Sequence, residues 1–170
     1  MADNQAFQIS GLDGVLERLQ ALPKEVVQKN GGPVRKVLRN AAHIIRDEAK
    51  ANVRKIIATP NVDGQDVSTG VLEKGIRTVK GRAHRTLNGE RYMVLIPKRL
   101  RYPISKRTPT GIAVSTVGRM LEYGTSRREA MPWMRPAFHA KKSEAVNYVV
   151  SQLPKEIDKI VRKLARQGKR

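Results

Sequence analysis

The chain has 170 residues, no cysteine and 4% aromatic residues, and its 34 Lys+Arg against 15 Asp+Glu give a formal net charge of +19. That length suits one domain with a modest core. The missing thiols exclude a disulfide framework, thiolate-held zinc or iron–sulfur centres and a cysteine nucleophile.

The N-terminal arm, "MADNQAFQIS" over residues 1–10, lacks a basic region followed by an apolar run, so the expectation is a soluble cytoplasmic product without a secretory signal. "GLDGVLERLQAL" spaces Leu12, Val15, Leu16 and Leu19 for a short amphipathic helix over residues 11–22, and Pro23 ends it. "NGGPVRKVLRNAAHIIRDEAKANVRKII" has the strongest helical pattern in the chain. Pro33 suits a first turn, and Val34, Val37, Leu38, Ala41, Ile45, Ala49, Val53 and Ile56 form one apolar stripe. "TPNVDGQD" closes it as a polar loop. "IRTVK" and "RYMVLIP", separated by "LNGE", predict an antiparallel hairpin with basic side chains on its exposed face. Residues 98–111 read as a basic loop, and "STVGRMLEYGT" as a short helix closing at Gly124 in a left-handed conformation. From Pro136 the helical pattern resumes through Val146, Val149 and Leu153. Pro154 is expected to kink or restart it, and residues 165–170 form a frayed basic tail. The expected fold is α+β: a single domain over residues 1–170 with a small antiparallel sheet, a long helix in the N-terminal half and a C-terminal helix.

The charge is uneven along the chain. Residues 1–73 carry 10 basic and 9 acidic groups, residues 74–107 carry 11 and 1, and residues 108–170 carry 13 and 5. The central cluster, with Arg77, Lys80, Arg82, Arg85, Lys98, Arg99, Arg101, Lys106 and Arg107, is dense enough to contact phosphates. Only Tyr92 and Tyr102 stand near it for stacking, so base reading is not expected. A solvated, self-repelling surface is the competing reading.

Catalytic signatures are missing from the sequence. His43, His84 and His139 lie far apart, without ligand-like neighbours. "NVDGQD" lacks the spacing of a calcium loop. In "DEAK", Asp47, Glu48 and Lys50 fall inside the long helix, where adjacent side chains diverge by about 100° and cannot converge on one metal. The expectation is a protein that is not an enzyme and takes no cofactor and no metal.

"LEYGTSRREAMPWMRPAF", residues 121–138, holds the chain's one tryptophan between Pro132 and Pro136. Both prolines stiffen the segment. Glu122 and Thr125 flank a tight turn and can accept from backbone amides. Trp133 offers either a core plug or an interface anchor, and Arg135 a planar donor fork for a carboxylate.

This stretch resembles the E-[FY]-G-T … A-x-P-[FW]-[LM]-R-P-A signature of the tail-completion (neck and tail-component) proteins of long-tailed bacteriophages. The matching positions are Glu122, Gly124, Thr125, Pro132, Trp133, Arg135, Pro136 and Ala137. "STGVLEKGI" is similar to that family's step into its first strand, with Thr69, Gly70 and Leu72 in place and Gly75 where Ser is commoner. "NAAHIIRDEAKANV" and "ISGLDGVLERLQALP" are similar to its long and its N-terminal helix. The basic insert "KRLRYPISKRTPTG" departs from the pattern. The resemblance implies a structural protein of the virion neck or tail, assembled in the host cytoplasm. Its partners would be a homo-oligomeric ring, six-fold, together with head-connector or head-completion proteins and tail-terminator or tail-tube proteins. Packaged DNA would be contacted non-specifically, and no membrane is involved. Composition alone offers the alternative of a free basic protein that binds DNA or RNA phosphates.

Overall fold

The computed structural model describes residues 32–58, 70–82, 90–104 and 111–167. The segments expected at residues 1–10 and 11–22 lie outside them, as does the "TPNVDGQD" loop. Among the described residues six elements follow in order: α1 (Gly32–Ala58), α2 (Val71–Gly75), β1 (Arg77–Gly81), β2 (Arg91–Leu95), α3 (Val114–Tyr123) and α4 (Met134–Gln167). The fold is α+β, a two-stranded antiparallel sheet packed with long helices.

α1 and α4 run antiparallel, as their cross-links show. Asn52 Nδ2 donates to the Trp133 carbonyl at 3.1 Å, Asn40 Nδ2 to Tyr148 Oη at 3.1 Å, and Lys36 Nζ to Glu156 Oε1 at 3.2 Å. The α1 stripe read from sequence supplies the apolar contact: Val37, Ala41, Ala49 and Val53 are all buried. Two core clusters result among the described residues. One gathers Ala49, Val53, Leu72, Ile76, Val114, Leu121, Trp133 and Ala137 where α1, α2, α3 and the start of α4 meet. The other joins Val37 to Leu153 and Ile157 at the opposite end. At about 1.5 Å per residue, the 34 residues of α4 outrun the 27 of α1 by roughly 10 Å.

β1 and β2 pair in the register Arg77↔Leu95 through Gly81↔Arg91. Thr78, Lys80, Tyr92 and Val94 thus share one face. That face is turned to α1: Val94 packs on the core, and Tyr92 Oη accepts a hydrogen bond from Arg35 Nε at 3.1 Å.

Four local expectations change. Pro154 stands inside a continuous α4 and does not restart it, although it cannot donate to the carbonyl four residues back. α4 continues to Gln167, so residues 165–167 are helical where fraying was expected. Gly124 has φ 74° and ψ −176°, a region open to glycine but not the left-handed helical one. The 98–111 segment is more than a loop. Arg101 bridges Ala113, Tyr102 N donates to the Ile112 carbonyl and Val114 N to the Leu100 carbonyl, and Leu100 and Tyr102 pack on the core.

Gly75 is buried, and a Cβ there would stand 2.7 Å from Leu100 Cδ2, so glycine at this position leaves room for the Leu100 side chain.

The second cluster should hold the far end of the helix pair. Ile157→Ala is expected to cost about 2–5 kcal/mol in denaturant unfolding, whereas Val161→Ala, at a position 46% exposed, should stay within about 0.5 kcal/mol.

Candidate functional site: the elbow between α3 and α4

α4 begins inside the protein, where the amides of its first turn have no helical acceptor. Glu122, in the last turn of α3, fills this gap. Its Oε2 accepts from the backbone N–H of Trp133 at 2.8 Å and of Met134 at 2.8 Å, and its Oε1 accepts from that of Arg135 at 3.0 Å. Arg135 closes the unit from outside: its Nε donates to Glu122 Oε1 at 3.1 Å and its Nη2 to the Glu122 carbonyl at 3.2 Å. The guanidinium also lies over the Tyr123 ring, 4.9 Å from the centroid. The carboxylate is 6% exposed and Arg135 57%. Burial raises the Glu122 pKa as the largest single influence, but the three amide bonds and the Arg135 bond together outweigh it and hold the group below the usual carboxylate range. The partial positive charge of the helix N-terminus acts in the same direction.

The turn between the two helices is tied separately. Thr125 N donates to the Arg128 carbonyl at 2.8 Å, Arg128 N returns a bond to Thr125 at 3.3 Å, and Arg127 N donates to Thr125 Oγ1 at 3.3 Å. Met131 N then reaches the Leu121 carbonyl at 2.7 Å. A Cβ on Gly124 would stand 2.9 Å from Ala130 N and 3.0 Å from the Arg128 carbonyl oxygen, both backbone atoms that cannot swing aside. Thr125 thus works within the turn as expected, whereas Glu122 acts across it, on amides eleven to thirteen residues ahead.

Trp133 is 5% exposed and belongs to the first core cluster. Its indole Nε1 donates to the Gly118 carbonyl at 2.9 Å, and the ring edge lies 3.4 Å from where a Cβ on Gly118 would be. Of the two roles open to it in the sequence, Trp133 takes that of core plug within this chain. Arg135 finds its carboxylate in Glu122. Pro132 and Pro136 are exposed and Ala137 is fully buried. Pro136 is the third residue of α4, in its first turn.

Gly118 is the site residue the sequence did not single out. Its signal was available: Gly118, Leu121 and Glu122 share a helical face, and a small residue on that face gives a large ring room. At the strand entry, Gly70 has φ 66° ahead of α2 and Leu72 is buried, while Thr69 lies outside the described residues.

Among the described residues the basic cluster does not form one patch. Lys80 lies on the α1-facing side of the sheet and pairs with Glu90 at 2.8 Å. Arg77 alternates to the other side, so basic groups occupy both sides of the hairpin where one exposed face was expected. Arg77, Lys98 and Arg99 are exposed at one end of the ladder, and Arg82 and Arg91 at the other, about 14 Å away. Arg101 donates to the Gly111 carbonyl at 3.2 Å. Arg85, Lys106 and Arg107 lie outside the described residues.

Other candidates remain isolated. His43 is half-buried on α1, and burial, then the nearby Arg46, lowers its pKa. His139 meets the Phe138 ring edge-on. Asp47 pairs with its neighbour Arg46. Among the described residues no group of three or more His, Asp or Glu side chains could hold a metal, and no helix is long and apolar enough to cross a membrane.

Comparison of the chain with protein-family models, with curated proteins and with solved structures finds no match.

Two measurements check this geometry. Glu122→Gln should lower stability at pH 7 by about 2 kcal/mol, since an amide accepts less strongly than a carboxylate. Because the folded pKa is depressed, the wild-type advantage is present above the unfolded value of about 4.3 and is lost as pH falls through the folded value. Parallel wild-type and variant curves across that range would refute the capping role. Trp133→Ala should lose roughly 3–5 kcal/mol and Trp133→Phe about 1–2 kcal/mol from the orphaned Gly118 carbonyl, both read by chemical denaturation.

Proposed function

We propose that the protein is a structural component of a bacteriophage neck or tail. In this reading it forms a homo-oligomeric ring that completes the tail and joins it to the head connector, with DNA passing through the lumen and no chemistry of its own. The observation that supports it is the elbow. Of the residues that carry the resemblance, Glu122, Trp133, Arg135 and Ala137 are joined by hydrogen bonds and packing at the start of α4, Gly124 and Thr125 form the turn that leads into it, and Pro132 and Pro136 bracket Trp133. That unit holds Arg135 and the 67% exposed Tyr123 at the surface beside a cleft of about 230 Å³. Tyr and Arg on a rigid support are the residue types that dominate protein interfaces. A core-buried Trp133 makes the elbow rigid, and the exposed Arg135–Tyr123 pair is the part a neighbouring subunit would meet.

The second reading, a free phosphate-binding protein, draws on the exposed Arg77, Arg82, Lys98 and Arg99. Their division between two ends of the hairpin suits loose contact along a duplex backbone and not a single tight site.

Mass spectrometry of purified phage particles that encode the chain separates the two: a virion component is retained through purification, and its absence would overturn the proposal. Within the virion reading, Arg135→Ala should lower stability by no more than about 1 kcal/mol, because the side chain is largely exposed. It should nevertheless yield particles with unjoined heads and tails in electron micrographs. Normal virions from this variant would remove the docking role.

A further inference from the structure

α4 changes character where its contact with α1 ends. Val37 of α1 packs on Leu153 and Ile157, and Lys36 Nζ bonds Glu156, so the start of α1 lies beside this stretch of α4. α4 then runs ten residues past Ile157 to Gln167, and Val161, Arg162, Lys163, Ala165 and Arg166 are all exposed. Residues 159–170 carry six basic and no acidic side chains, so this end of the chain holds charge of one sign.

The helical period sorts the charges onto one side. At about 100° per residue, Lys155, Lys159, Arg162, Lys163 and Arg166 all fall within an arc of about 100°, over a length of about 16 Å. Leu153 and Ile157 lie on the other side and are buried. Of the five cations, only Lys159 has a carboxylate partner among the described residues, Glu156 at 2.7 Å. A face that served solubility alone would intersperse both signs. This one does not.

The chemistry of the arc selects its ligand. A helix that lies on a membrane needs its apolar side free to enter the lipid, and here Leu153 and Ile157 are committed to Val37. Single strands are held by stacking on aromatic rings, and residues 149–170 contain none. The phosphates of a duplex need only a dense row of cations. A helix about 10–12 Å across fits the major groove of B-form DNA, about 12 Å wide, and not the deep, narrow groove of duplex RNA.

We propose that residues 155–166 of α4 are a contact for duplex DNA, with the basic arc laid against the phosphates that border the major groove. The inference does not rest on the virion reading. It concerns a surface separate from the elbow and from the hairpin arginines, and its test uses the isolated protein.

That test is the fluorescence anisotropy of a labelled DNA duplex of mixed sequence, titrated with the full-length protein at several salt concentrations. Arg162→Gln, Lys163→Gln and Arg166→Gln, made together, should weaken binding about tenfold at low salt and lower the slope of log K against log salt by about 2–3, at about 0.9 for each phosphate contact. The same loss of three charges in the hairpin, by Arg77→Gln, Lys98→Gln and Arg99→Gln, should weaken binding several-fold less. A charge-preserving triple, Arg162→Lys, Lys163→Arg and Arg166→Lys, should keep the wild-type slope. Equal losses from the two glutamine triples would reduce the effect to net charge and overturn the proposal. Duplex RNA, phosphatidylserine vesicles or polyglutamate bound as tightly as duplex DNA would overturn it as well.

Discussion

A carboxylate taken out of water is expensive unless it is paired, and a helix that starts inside a protein leaves amides that must find acceptors. Glu122 and the first turn of α4 answer each other's need: three backbone N–H groups and one guanidinium converge on a single buried side chain. This contact fixes where α4 starts, and hence how the chain must return from α3. Gly124 has to adopt a conformation closed to other residues, Met131 is drawn to the Leu121 carbonyl, and Trp133 is carried over Gly118 into the core. Asn52 then ties the same corner to α1 through the Trp133 carbonyl. The direction of the α1–α4 pair follows from that corner.

The consequence for function lies in what is left outside. Arg135 belongs to the capping unit and to the surface at once, since it bonds Glu122 with one edge and stacks on the exposed Tyr123. Were a partner to engage this pair, as proposed, it would press on the group that holds α3 and α4 together, and docking would be coupled to local stability at one residue. The sheet contributes differently. With two strands it is too small to stand alone; it rests on α1 through Tyr92 and Val94 and carries exposed arginines at both ends of its ladder. In the phosphate-binding reading, charges so separated would suit diffuse attraction and not a defined pocket.

The elements with a strong period were legible in the sequence. The α1 stripe, the alternation in "IRTVK" and "RYMVLIP" and the glycine that ends α3 all express local geometry, and α1, β1, β2 and α3 follow them. Elements whose cause is tertiary were not. Leu100 and Tyr102 read as part of a basic loop because the residues around them are charged, yet both are drawn to the core by the bridge from Arg101 to Ala113. Pro154 reads as a break, but the Leu153 and Ile157 contacts with Val37 hold the helix through it. In the elbow, the rigidity and the Trp133 alternatives were visible. The carboxylate reaching across the turn was not, because a hydrogen bond spanning eleven residues leaves no spacing rule to find.

The direct measurement is the titration of the Glu122 carboxyl itself, followed by carbon-detected nuclear magnetic resonance in the folded protein. If the carboxylate caps α4, its midpoint lies below the ordinary glutamate value of about 4.3, and the Trp133, Met134 and Arg135 amide resonances shift with the same midpoint. A midpoint at or above the ordinary value, or amides indifferent to the titration, would contradict the account.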